Sequence, residues 1–203
     1  YEDGPHWTLR LAHEEANAIV HVDPGGPSVD MATSMDSNGQ WTVAVPIAHG
    51  HAHGWFTAGR RGGKFEGRAI AIHRGGDGAM GQPRALVSAI GPGISIGLDQ
   101  HGATRAAWAQ IGDRQIPTDS LILTVNEQGQ SVLDFRPMVE LVVTVTPSAI
   151  GGSFPGHTNL LAAERIIASA AGSFADRTVH RGRATVDFEG SNTTVNGLVL
   201  TVH

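Results

Sequence analysis

Apolar residues recur at every second position over short stretches of this chain, and clusters of turn-forming residues separate the stretches. Val43 and Val45, Ile70 and Ile72, Leu121 and Leu123, and Leu198 and Leu200 form such pairs, and Leu141, Val143 and Val145 form a triplet. Successive side chains of an extended strand leave opposite faces, so this spacing predicts half-buried strands. They are expected near residues 6–12, 18–23, 40–47, 51–58, 66–73, 84–90, 93–99, 104–111, 121–126, 131–136, 138–146, 178–188 and 193–202. The residues just named, with Val186, are the expected core. Asp36-Ser37-Asn38-Gly39, Gly75-Gly76-Asp77-Gly78, Glu127-Gln128-Gly129-Gln130 and Glu189-Gly190-Ser191-Asn192 carry turn chemistry between them. One segment departs from the two-residue rhythm. Leu160, Leu161, Ile166, Ile167 and Ala170 lie near helical spacing, with Thr158 or Asn159 placed to cap and Gly172 to stop the helix. The expected fold is therefore mainly β, an antiparallel sandwich or barrel with one α-helix near residues 158–173, built as a single domain over residues 1–203.

Composition narrows this picture. Aromatic residues make up only 5% of the chain, so the core must rest on Val, Ile, Leu and Ala, while 27 Gly and 10 Pro supply tight connections. Cysteine is absent, which removes disulfides, thiolate metal sites and thiol catalysis, and leaves any transition metal to imidazoles and carboxylates. The net charge of −5, with Lys64 the only lysine, argues against general nucleic-acid binding, which rests on neutralising phosphates. No apolar run reaches the roughly 18 residues that a spanning helix needs. The chain opens at Tyr1 rather than Met, and is read as a processed product or a portion of something longer.

The strongest chemical signal is Ala48-His49-Gly50-His51-Ala52-His53-Gly54. On a strand, His49, His51 and His53 share one face and could ligate zinc or another divalent transition metal, with His73, His101 or an acidic residue from a neighbouring strand completing the set. A solvated row, or a loop around Gly50 and Gly54, is the competing account. The same imidazoles also offer protons, since protonating all 11 histidines would carry the charge from −5 to about +6. Arg60, Arg61 and Lys64, followed by Arg68, form a candidate anion-binding loop without a phosphate-loop fingerprint around it. No nucleophile elbow appears. Asp99 with Asp113, or Glu140 with Asp134, could pair as carboxylates only if the fold brought them together. Asn192-Thr193-Thr194 matches a glycosylation pattern in a turn-like position.

Two functions from different classes follow. The first is a structural protein: a self-associating β-rich module, such as a virion-surface or capsid-associated component, whose partners are itself or other shell subunits in a virion or extracellular setting. It rests on the lack of a persuasive catalytic motif and on terminal strand edges. The second is a metal-dependent enzyme on a β-sandwich or barrel that uses the His49, His51 and His53 row.

Overall fold

A computed structural model describes residues 7–13, 16–25, 29–36, 39–76, 84–101, 104–154 and 177–202. The described residues form fourteen strands and no helix. The mainly antiparallel β expectation holds, whereas the helix expected at 158–173 lies outside the described residues. The chain divides into two compact units, residues 1–30 with 44–73 and residues 31–43 with 74–203.

The first unit is built on β1 (Trp7–His13), β2 (Ala16–Pro24), β4 (Gly39–Ala58) and β5 (Arg61–Gly76). Here β2 pairs antiparallel with both β1 and β4, and β5 pairs with β4. The sequence suggested two strands over 40–58; they are one strand of 20 residues. The loop account of Gly50 and Gly54 fails, because Gly50 lies opposite Pro24 and Gly54 opposite Val20 within the ladder. Gly54 is needed there: a Cβ would stand 1.9 Å from the carbonyl oxygen of Ile19. The candidate basic loop is the β4–β5 hairpin, turning at Gly59 (φ 56°) and running into the strand at Arg61. The strand β3 (Val29–Asp36), which pairs with β4, was not anticipated.

The second unit holds a nine-stranded antiparallel sheet. Its members are β6 (Arg84–Gly91), β7 (Ile94–His101), β8 (Thr104–Ile111), β9 (Arg114–Gln115), β10 (Ile122–Val125), β11 (Ser131–Asp134), β12 (Leu141–Phe154), β13 (Arg177–Phe188) and β14 (Ser191–Val202). Their order is β10-β11-β12-β13-β14-β6-β7-β8-β9. Laid flat, the outermost strands of nine would stand about 38 Å apart at the usual strand spacing. Yet only residues 116–121 join β9 to β10, and a chain of that length spans at most about 25 Å. The sheet must curl.

The curl brings one face of the sheet around a shared core. Val87, Ile96 and Leu98 from one side meet Leu133, Phe135, Leu141, Val143 and Val145 from the other, all at most 1% exposed. Arg105 of β8 donates to the carbonyl of Leu121 at 2.7 Å, and Ser120 to that of Phe135 at 2.5 Å, tying the seam. Of the expected core, Leu121, Leu141, Val143, Val145 and Val186 are buried, and Ile70, Leu123 and Leu198 are half-buried. The side chains of Val43, Val45, Ile72 and Leu200 lie outside those described. On the opposite face Trp108 lies over Gly97, where a Cβ would come within 2.2 Å of the ring, and donates to the Ser95 hydroxyl at 3.2 Å. The anticipated turns also take form. Glu189 and Gly190 both have positive φ between β13 and β14, and the Asn126 side chain accepts from the backbone N–H groups of Gln128 and Gln130.

Candidate active site

The histidine stretch sits on β4 with Ala48, Gly50 and Ala52 buried between the imidazoles. This alternation turns His49, His51 and His53 to the other face. The register with β2 adds to that face, since His53 lies opposite His21 and His51 opposite Asp23. Directly opposed residues of an antiparallel pair project to the same side. On β5, Glu66 and Arg68 reach the same row: the Glu66 carboxylate lies 2.9 Å from His51 Nε2, and an Arg68 guanidinium nitrogen 3.1 Å from His49 Nε2.

These contacts fix the tautomers. A guanidinium only donates, so His49 Nε2 must be the acceptor and its proton sits on Nδ1. Burial pushes the His49 pKa below the usual imidazole range, and the Arg68 charge lowers it further. An ionised carboxylate only accepts, so His51 Nε2 carries the proton that faces Glu66. His51 Nδ1 is then turned to Asp23 Oδ2 at 4.0 Å, and His53 Nδ1 stands 3.6 Å from the same oxygen. His53 is sandwiched between rings, with His21 at 5.3 Å and His51 at 5.7 Å between centroids. Thr8 Oγ1 lies 3.1 Å from His21 Nδ1 and occupies that nitrogen.

Beside this row opens a groove of about 520 Å³, lined by Asp23, Gly25, His49, His51, Glu66 and Arg68 among others. The backbone N–H of Gly25 donates to the carbonyl of His49 at 2.7 Å, and a Cβ on Gly25 would stand 3.3 Å from His49 Nδ1. Glycine thus keeps open the approach to the His49 Nδ1 proton. Two residues beyond His53, Trp55 is 42% exposed opposite Ile19 and extends the polar row into an apolar shelf.

The row expected from sequence is therefore on one face, but its members part company. His51 and His53 converge on Asp23, whereas His49 is engaged by Arg68. The acidic residue sought from a neighbouring strand is Asp23; the side chains of His73 and His101 lie outside those described. Arg68 lines the groove, while Arg60, Arg61 and Lys64 are exposed on the hairpin and do not. The carboxylate pairs do not form sites. Asp99 is buried on β7, about five strand residues or 17 Å from the Ile94–Ile111 end where Asp113 turns. Asp134 is held by Arg136 at 2.6 Å, which keeps its carboxyl below the usual range. Asp23, Glu66 and the role of Arg68 were missed because partners across a sheet are set by register, which one strand's pattern does not encode.

No family model matches the chain, and no curated protein matches its sequence. Solved structures do share its fold. Kievitone hydratase from Nectria haematococca superposes with a TM-score of 0.60 at 12% identity, covering 97% of this chain and 64% of that one. CghA, solved with Sch210972, gives 0.59 at 10% identity, covering 98% and 64%. The chain thus spans less than two thirds of each. This likeness corrects the expectation of a virion-surface or capsid-associated structural module: the fold is one that a hydratase uses, and no shell component is among these neighbours. Among the described residues no helix is long and apolar enough to cross a membrane.

Proposed function

We propose that this chain is an enzyme acting on a small organic molecule, and that its reaction is the addition or removal of water. The observation that carries this reading is the groove on β2, β4 and β5, where one sheet face presents two imidazoles held by opposite kinds of partner, His51 by a carboxylate and His49 by a guanidinium. A cavity of this size suits a small molecule. Arg68 keeps N–H donors beyond the one given to His49, and the His49 Nδ1 proton points beside Gly25. Together they suit a substrate oxygen on which negative charge develops. The His51–Glu66 side handles the water, and the Trp55 shelf receives the apolar part of the substrate.

In hydration, a proton joins one carbon of a double bond and the water oxygen joins the other, and dehydration reverses both. An oxygen conjugated with that double bond would carry the transient charge toward Arg68 and His49. The name of kievitone hydratase supports the reaction class by analogy of fold, and the groove supports the site.

The test uses isotopically labelled water and a panel of α,β-unsaturated ketones, phenols and alkenes. Mass spectrometry should find one labelled water gained by one substrate class, and both Arg68→Ala and Glu66→Gln should cut turnover at least about a hundredfold. Turnover undiminished in both variants would place the reaction elsewhere. No labelled product from any class, with no thermal stabilisation by any compound, would remove the proposal.

A further inference from the structure

We infer that Asp23, His51 and His53 form a binding site for a divalent transition metal ion of the zinc type. Their donor atoms all lie within 4.8 Å of one another. Tetrahedral zinc with bonds of about 2.1 Å holds its donors about 3.4 Å apart. The separations of 3.6 Å and 4.0 Å to Asp23 Oδ2 are therefore within small rotations of half-exposed side chains.

Three features distinguish this cluster from chance proximity of charges. First, the donors come from two paired strands at opposed positions, Asp23 against His51, so the backbone fixes their spacing. Second, the tautomer of His51 is already the ligating one. His51 Nε2–H donates to the Glu66 carboxylate at 2.9 Å, which leaves the Nδ1 lone pair toward Asp23. A carboxylate behind a ligating imidazole is the arrangement that orients metal-bound histidines. Third, the set is short of a closed shell. His21 contributes a stacked ring to His53, and its Nδ1 faces Thr8, so among the described residues the cluster offers three protein donors and a fourth position stays open to another ligand. Three ligands and an opening characterise reactive rather than structural zinc sites. Two imidazoles and a carboxylate, without thiolate, select this class of ion over calcium or magnesium.

His49 is excluded from the set even though it belongs to the same row, because Arg68 occupies its Nε2 and brings a positive charge beside it. The inference stands apart from the reaction proposed above, and with an ion bound His51 acts there as a ligand that Glu66 orients.

The experiment titrates the chelator-stripped full chain with Zn²⁺ by calorimetry and with Co²⁺ by visible absorption, in the absence of any organic substrate. Wild type should bind one ion per chain, and Co²⁺ should show the intense bands of a four-coordinate site. His53→Ala should weaken binding at least about a hundredfold, and Glu66→Gln, which removes no ligand, about ten- to a hundredfold. His49→Ala should leave the affinity within about twofold. Circular dichroism of each variant checks that the sheet is intact. Absence of saturable binding would overturn the inference. So would affinity retained in a triple Asp23→Asn/His51→Ala/His53→Ala variant, or His49→Ala weakening binding as much as His53→Ala. Because no substrate is present, failure here leaves the hydration proposal standing, and failure of labelled-water uptake leaves the ion site standing.

Discussion

β4 of the first unit and β12 of the second obey the same alternation and put it to opposite uses. In β12, Leu141, Val143 and Val145 are wholly buried while Val142 and Thr144 lie half-exposed on the other side. The curled sheet closes over the first set, and its partners there are other aliphatic and aromatic side chains. In β4 between residues 48 and 53, the buried positions are filled by small residues, Ala48, Gly50 and Ala52, and the larger side chains are the imidazoles on the open face. The apolar face of β12 stabilises through area removed from water, which is non-directional. The imidazole face of β4 gains little that way. Its side chains are instead held by directional contacts with Asp23, Glu66 and Arg68, the kind of hold the proposed site would need.

This contrast can be broken at several points. The largest effect is expected from Val143→Asp, which would put an unpaired carboxylate into the core and cost about 5 kcal/mol or more; urea unfolding that matches wild type would show that the second unit does not depend on this face. Phe135→Ala leaves a cavity among Leu133, Leu141 and Val143 and should cost about 3–5 kcal/mol by the same measurement. Gly97→Ala drives a methyl group into the Trp108 ring and should cost about 1–3 kcal/mol. Combining it with Trp108→Leu should recover part of that loss, because the collision goes with the ring. A double His51→Ala/His53→Ala change, by contrast, should shift stability by no more than about 0.5 kcal/mol in ion-free buffer, since both side chains are half-exposed. A loss as large as that of Phe135→Ala would erase the distinction between the two strands.

The smallest effect concerns acid. Asp134 has its pKa lowered in the folded protein, chiefly by the Arg136 hydrogen bond. A depressed carboxyl contributes stability that is present above its unfolded pKa of about 4 and is lost as pH falls through the folded value. Arg136→Ala should therefore lower the melting temperature slightly at pH 7, and the difference should vanish as pH falls below the folded pKa of Asp134. Both partners are largely solvated, which keeps the difference small.

How much of this was legible depended on distance along the chain. The common face of His49, His51 and His53 follows from period-two spacing once they lie on a strand. So do the buried positions of β12, while the hairpin turn at Glu189-Gly190 follows from its turn-forming residues. Val29-Asp30-Met31-Ala32-Thr33-Ser34-Met35-Asp36 carries an alternation that would have revealed β3, but Met and Thr are weak markers of a buried face. The break placed between residues 47 and 51 was wrong because Gly50 and Gly54 suggested a loop, whereas glycine in a strand also serves close approach. Asp23 belongs with His51 through a register set by the whole β2–β4 ladder, and no local pattern contains it. The structural-protein expectation failed for a different reason. It drew on the lack of a known motif, and a site assembled from three strands has none to show.

The order of strands in the nine-stranded sheet also bears on how it is made. β6 pairs with β14, joining Ile90 to Asn196 and Arg84 to Val202, so the middle of the sheet is closed by the last strand of the fourteen to be synthesised. Until that strand emerges from the ribosome, β6 through β9 can form only a partial sheet with an unsatisfied edge along β6, and β10 through β13 another along β13. Such edges recruit other chains, and pairings this far apart in sequence form slowly. Successful biosynthesis thus depends on what happens in the interval between the two halves, when a chaperone has more to protect than at any later moment.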